Sequence, residues 1–237
     1  MSSDFIDHLE DLRKCILISL TSFFALSIVA YFFSHQLVEF LITPLRPHEE
    51  AQLIFQTPYE AFLTHIKVSG FSGFVLALPI LFFQFWAFVS PGLYAKEKKT
   101  FLVLCFVSIV LFFAGVGLAF FVTIPWALTF LLSFQTETLR PLLSIGPYFS
   151  FLFNIVLVFG VLFDFPVVVI GLVKMGILKS ATLVASRKIT IVALFCVSAL
   201  LTPADPVSQI MLALPLWALF EITVMIAKTL ENGDKSG

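Results

Sequence analysis

Long runs of apolar residues constrain this chain more than any other feature. A helix crossing the ~30 Å hydrocarbon of a bilayer needs about 20 largely apolar residues. Residues 15–33, 68–89 and 101–124 meet that requirement cleanly. Residues 148–173 meet it although Asp164 stands inside the run, and residues 207–227 meet it with Glu221 towards the end. Residues 189–201 form a shorter run, rising only about 20 Å as a helix. It leads into Thr202-Pro203-Ala204-Asp205-Pro206, where two prolines flanking an acid predict a tight polar turn. With 59% hydrophobic residues, 12% charged and a mean hydropathy of +1.05, water cannot be the main solvent. The expectation is an all-α membrane protein of six transmembrane helices, the last two short. No linker or low-complexity tract divides residues 1–237, so a single domain is expected.

Basic residues set the orientation, because Lys and Arg accumulate in cytoplasmic loops. Arg13 and Lys14 precede the first run, and Lys96, Lys98 and Lys99 follow the second. Lys174, Lys179, Arg187 and Lys188 follow the fourth, and Lys228 and Lys235 the sixth. Of 14 basic residues, only Arg46, Lys67 and Arg140 fall on the opposite side. Both ends are therefore expected inside, with a short cytoplasmic tail at 228–237. The opening is acidic, unlike the basic start of a secretory signal peptide, so cleavage is not expected. Phe5, Leu9, Leu12 and Ile16 are spaced as one helical stripe, which predicts an amphipathic helix over residues 1–14 on the inner surface. On the outer side residues 34–65 form the longest loop, turned at Pro44 and Pro47 and again at Thr57-Pro58-Tyr59-Glu60, and are expected to cap that face.

Few residues suggest chemistry. Asp164 lies about ten residues from the inner end of its helix, near mid-membrane, where a charge costs upwards of about 2.5 kcal/mol unless it faces other helices or water. Pro166 frees the carbonyl of Leu162 and marks a kink there. On the inner side Glu10 has an i,i+4 partner in Lys14, whereas Asp11 has only the weaker i,i+3 option and Glu97 has no local partner. Cys15, Cys105 and Cys196 lie in or beside apolar runs without metal-ligand spacing and read as small buried residues. The chain has no hydrolytic triad, zinc-protease helix or phosphate-cradling loop in its sequence. No enzyme activity, metal or cofactor is expected. The net charge of −1 argues against nucleic acid.

Four blocks, in order along the chain, resemble the TatC family, the core subunit of the twin-arginine protein translocase. Asp7-His8-Leu9-Glu10-Asp11-Leu12-Arg13 is similar to the family's H-L-x-E-L-R opening. Residues 84–99, Gln-Phe-Trp-Ala-Phe-Val-Ser-Pro-Gly-Leu-Tyr-Ala-Lys-Glu-Lys-Lys, resemble its Q-x-W-x-F-x-x-P-x-L-Y-x-x-E-[KR]-[KR] signature, with Pro91 at its turn. The segment from Phe159 to Pro166 and that from Leu201 through Pro203 to Gln209, followed by Pro215 and Glu221, resemble two further blocks.

The resemblance implies a receptor in a bacterial cytoplasmic membrane, or an organelle's, that binds twin-arginine signal peptides of folded cargo. It implies recruitment of single-span TatA- and TatB-type partners, a homo-oligomer within a larger complex, and transport driven by the proton-motive force. Carried over by position, Asp11 and Glu97 would receive the two arginines, with Glu10 beside them. Asp164 would be the acid of a concave membrane face, and Thr202 and Gln209 would meet a partner helix. The family usually has glutamate where this chain has Asp11 and Asp164, so each carboxylate reaches one methylene less far. The alternative is a proton- or ion-coupled transporter that uses Asp164.

Overall fold

Apolar helices of membrane-crossing length make up most of the computed structural model, which describes residues 2–47, 52–89, 98–134, 142–174, 177–201 and 206–234. The chain divides into two compact units, one of Met1–Ile109 with Arg140–Ser150 and one of Val110–Leu139 with Phe151–Gly237.

The first unit begins with α1, Ser2–Phe32. No glycine or proline interrupts the sequence before Pro44, so nothing separates the predicted amphipathic stripe from the first membrane pass, and α1 runs unbroken through both. At Phe33 the chain turns and α2 follows, Ser34–Leu41. A 3₁₀ turn at Thr43–Leu45 comes next, with Pro44 and Leu45 buried. Helix α3 is Glu60–Val89. It starts eight residues before its apolar run, because the Pro58 turn leads into it and Glu60 suits the first turn of a helix.

Helices α1 and α3 pack at their smallest residues. A Cβ on Gly73 would lie 2.5 Å from Ser27 Cα and 2.6 Å from Ser27 N, so only glycine permits this approach. Two strands, β1 (Gln52–Ile54) and β2 (Leu142–Ser144), pair in parallel with Leu53 opposite Leu143. They correct the all-α expectation: two three-residue segments some ninety positions apart have no periodicity to betray them.

Helix α4 (Lys98–Leu118), which belongs to the second unit from Val110 onward, a π turn (Ala119–Thr123) and α5 (Ile124–Leu132) carry one span, Val103–Leu132. The span continues past the end of the apolar run at Ile124 and through Pro125. The π turn re-phases the backbone so that Pro125 falls in the first turn of α5, where its missing N–H is harmless. The next span, Ile145–Val173, is broken at Asp164 into α6 (Ile145–Phe163) and α7 (Phe165–Lys174). Within this unit Gly115 lies against α6, where a Cβ would stand 2.7 Å from the carbonyl oxygen of Phe159.

Short α8, Ser180–Ala185, leads to α9, Arg187–Leu201, and α10, Pro206–Asp234. Val169, Leu183, Phe220, Val224 and Ala227 form a core shared by α7, α8 and α10. Of the last two helices only α9 is short, at 15 residues; α10 has 29 and contains the span Gln209–Thr229. The apolar run ends near Ala227, yet Lys228, Leu230 and Glu231 are good helix formers and carry the backbone on. Among the described residues five helices are long and apolar enough to cross a membrane, and α9 is not one of them.

Candidate functional site

Glu10 and Asp11 are both exposed near the start of α1. Glu10 accepts Lys14 at 3.3 Å, an exposed i,i+4 pair of little energetic weight. Asp11 forms no ion pair among the described residues. Glu97, Pro91, Thr202 and Pro203 lie outside the described residues.

Directly after Asp11, from Leu12 onward, an open apolar cavity of ≈ 510 Å³ lies between α1 and α3. Leu12, Ile16, Phe23, Phe74, Leu81 and Phe88 line it, with Gln84 among its few polar groups. Helix α1 is little covered: 6% of its most apolar stretch is buried, against 50% in Ile145–Val173. A pair of exposed carboxylates beside an apolar cavity suits a ligand that is cationic at one end and apolar along the rest. Sequence periodicity could not find this cavity, since its walls come from segments some sixty residues apart.

Asp164 is 8% exposed, and its Oδ1 is buried without a hydrogen-bond partner. Its backbone carbonyl accepts the amides of Val167 at 3.0 Å and Val168 at 3.2 Å, starting α7 with Pro166 in the first turn. The residue is thus held rigidly by its main chain while its side chain is left unsatisfied, an arrangement that costs stability.

Gln209 donates from Nε2 to the Phe195 carbonyl at 2.9 Å, tying the first turn of α10 to α9. That donor is committed inside the chain, and the side-chain oxygen remains as an acceptor. Glu221 departs from a plain interfacial acid, because Oε2 accepts Arg187 Nη2 at 2.7 Å between α10 and α9. Cys105 is buried, Cys15 half-buried and Cys196 exposed, so the burial expected of all three fails at Cys196. In a membrane an apolar thiol facing lipid meets no water.

The polar site that sequence reasoning missed is Glu60. Its Oε1 accepts Ser144 Oγ at 2.6 Å and the Gly146 amide at 2.9 Å, and Oε2 accepts the Gln56 amide at 2.7 Å. This one carboxylate ties the start of α3 to β2, α6 and the residues after β1. A glutamate in a loop turn gives no hint of partners more than eighty residues away. Tyr148 adds a second tie, donating to the Leu41 carbonyl at 2.8 Å.

The family model for Sec-independent protein translocase protein (TatC) matches residues 7–215. A TatC of Magnetococcus marinus is 40% identical over 231 residues, covering 96% of this chain and 84% of the relative. One from Carboxydothermus hydrogenoformans is 39% identical over 232 residues, covering 98% and 95%. A crystal structure of the twin arginine translocase receptor TatC superposes with a TM-score of 0.85 at 37% identity, covering 94% of this chain and 98% of that one. Such relatives are protein translocase components rather than enzymes. With a family model over residues 7–215 and relatives alike along nearly their whole length, this chain belongs to the TatC family of Sec-independent protein translocase proteins.

Proposed function

We propose that this protein is the signal-peptide receptor of a twin-arginine translocase. The observation that carries the proposal is the juxtaposition of exposed Glu10 and Asp11 with the apolar cavity between α1 and α3. A targeting peptide has a positively charged start followed by an apolar stretch, the complement of that surface. Asp11 and Glu97 receive the paired arginines, because a carboxylate accepts the planar guanidinium fork through two parallel charge-assisted bonds. Glu10, already bonded to Lys14, assists. The related crystal structures are of a twin arginine translocase receptor, which supports the same reading.

The reading includes one transmembrane domain over residues 1–237 in a bacterial cytoplasmic membrane, with six passes and both termini inside. Helix α9, about 22 Å long, makes the fifth pass across locally thinned bilayer. Thr202 and Gln209, at the turn from α9 to α10, meet a single-span TatA- or TatB-type partner. Asp164 keeps its buried carboxyl at mid-membrane depth, and several copies assemble within a complex energised by the proton-motive force.

Crosslinking of a twin-arginine signal peptide to the membrane-embedded protein tests the core of this. Glu97→Ala and Asp11→Ala should each abolish the crosslink while insertion into the membrane is unchanged. An undiminished crosslink in both variants would refute it.

A further inference from the structure

A second cavity, of ≈ 400 Å³, lies within the first unit where the starts of α3 and α6 meet. Its lining differs from that of the apolar cavity: Tyr59, Glu60, Thr64, Lys67, Ser144 and Ser150 all contribute. Lys67 follows Glu60 by seven residues, two helical turns, so both lie on one face of α3 with Lys67 about 10 Å further along the axis. Lys67 is exposed, and no carboxylate pairs with it among the described residues. Glu60 carries its charge among neutral donors, Ser144 and the amides of Gln56 and Gly146. Among the described residues the cavity therefore holds one cation and one anion that do not neutralise each other.

Their depth in the bilayer identifies the ligand. Helix α3 has 30 residues and a length of about 45 Å, against ~30 Å of hydrocarbon, so its Glu60 end stands in the headgroup layer. Lys67 starts near the edge of the hydrocarbon and its flexible stem reaches back towards that layer. Leu63, exposed one turn before it and part of the cavity lining, offers apolar contact for acyl chains. The order of charges from the membrane interior outward is thus cation, then anion. In a phosphoethanolamine headgroup the order is phosphate next to the glycerol, then ammonium. We propose that this cavity is a binding site for phosphatidylethanolamine, with the phosphate on the Lys67 ammonium and the headgroup ammonium towards the Glu60 carboxylate. A purely anionic headgroup would satisfy Lys67 but would bring its negative charge against Glu60. The site works equally from whichever leaflet surrounds this end of α3, and it is independent of the signal-peptide reading.

Lipid titration of the delipidated full-length protein in detergent, followed by native mass spectrometry, tests it with phosphatidylethanolamine, phosphatidylglycerol and phosphatidylcholine of the same acyl chains. The unaltered protein should retain phosphatidylethanolamine several-fold better than phosphatidylglycerol. Lys67→Gln should weaken phosphatidylethanolamine about tenfold, the scale of one charge-assisted contact, and Lys67→Arg should restore it. Glu60→Gln, where it folds, should bring the two lipids to near-equal retention. Phosphatidylglycerol bound as well as phosphatidylethanolamine by the unaltered protein, or a Lys67→Gln variant indistinguishable from it, overturns the proposal.

Discussion

Replacing Gly73 with alanine adds one methyl group at the closest approach of α1 and α3. The new Cβ would begin 2.5 Å from Ser27 Cα and 2.6 Å from Ser27 N, backbone atoms that no rotamer change can move. Ordinary carbon–carbon contact needs about 3.5 Å or more, so α1 must withdraw by about 1 Å locally. A gap of that size forfeits a quarter to a half of the dispersion energy of each contact it opens. Overpacking of this kind costs ~1–3 kcal/mol. Alanine also favours the helix by ~1 kcal/mol over glycine, which partly conceals the clash. Gly70→Ala removes that ambiguity, since it lies on the same helix with nothing within 4 Å of its built Cβ and gains the same helical term. The difference between the two variants is then the packing cost alone. Reversible unfolding in mixed detergent micelles, read by circular dichroism, should place Gly73→Ala ~1–3 kcal/mol below Gly70→Ala. Because α1 carries Glu10 and Asp11 and forms one wall of the apolar cavity, the same variant should lose affinity for a twin-arginine signal peptide. Equal stability of Gly73→Ala and Gly70→Ala would refute the argument that this glycine sets the approach of α1 to α3.

A parallel comparison applies to the second unit. Gly115→Ala, aimed at the Phe159 carbonyl, should be less stable by ~1–3 kcal/mol than Gly117→Ala, whose Cβ meets open space, in the same detergent assay. Arg187 and Glu221 should show a favourable coupling of about 1 kcal/mol in a double-mutant cycle, small because the pair keeps partial solvent contact. Asp164→Asn should unfold at the same or a higher denaturant concentration than the unaltered protein, since it exchanges a buried ionisable carboxyl for a neutral amide of the same shape, while transport of a twin-arginine cargo into inverted vesicles falls. Glu60→Ala should speed hydrogen exchange at the amides of Gln56 and Gly146, the two backbone donors it accepts, with little change at the Leu41–Tyr148 contact.

Membrane residence and the helical character of most of the chain were legible in the sequence, because crossing hydrocarbon imposes a length and an apolarity that few other structures require. Ordered sequence blocks were enough to suggest the family, and with it Asp11, Glu97 and Asp164 as residues to watch. Where the helices begin and end was less legible. Apolarity marks the membrane, whereas the backbone follows propensity and caps, so α3 starts at Glu60, α5 continues past Pro125, and α10 runs on to Asp234. Tertiary structure alone decided which distant residues meet. Gly73 touches Ser27, Glu60 accepts from Ser144 and Gly146, Gln209 reaches Phe195, and Arg187 finds Glu221. None of these pairs shares a local period, and each depends on how one element is rotated and shifted against another. The opening apolar runs therefore determine the solvent and the elements, and packing determines the two cavities between them.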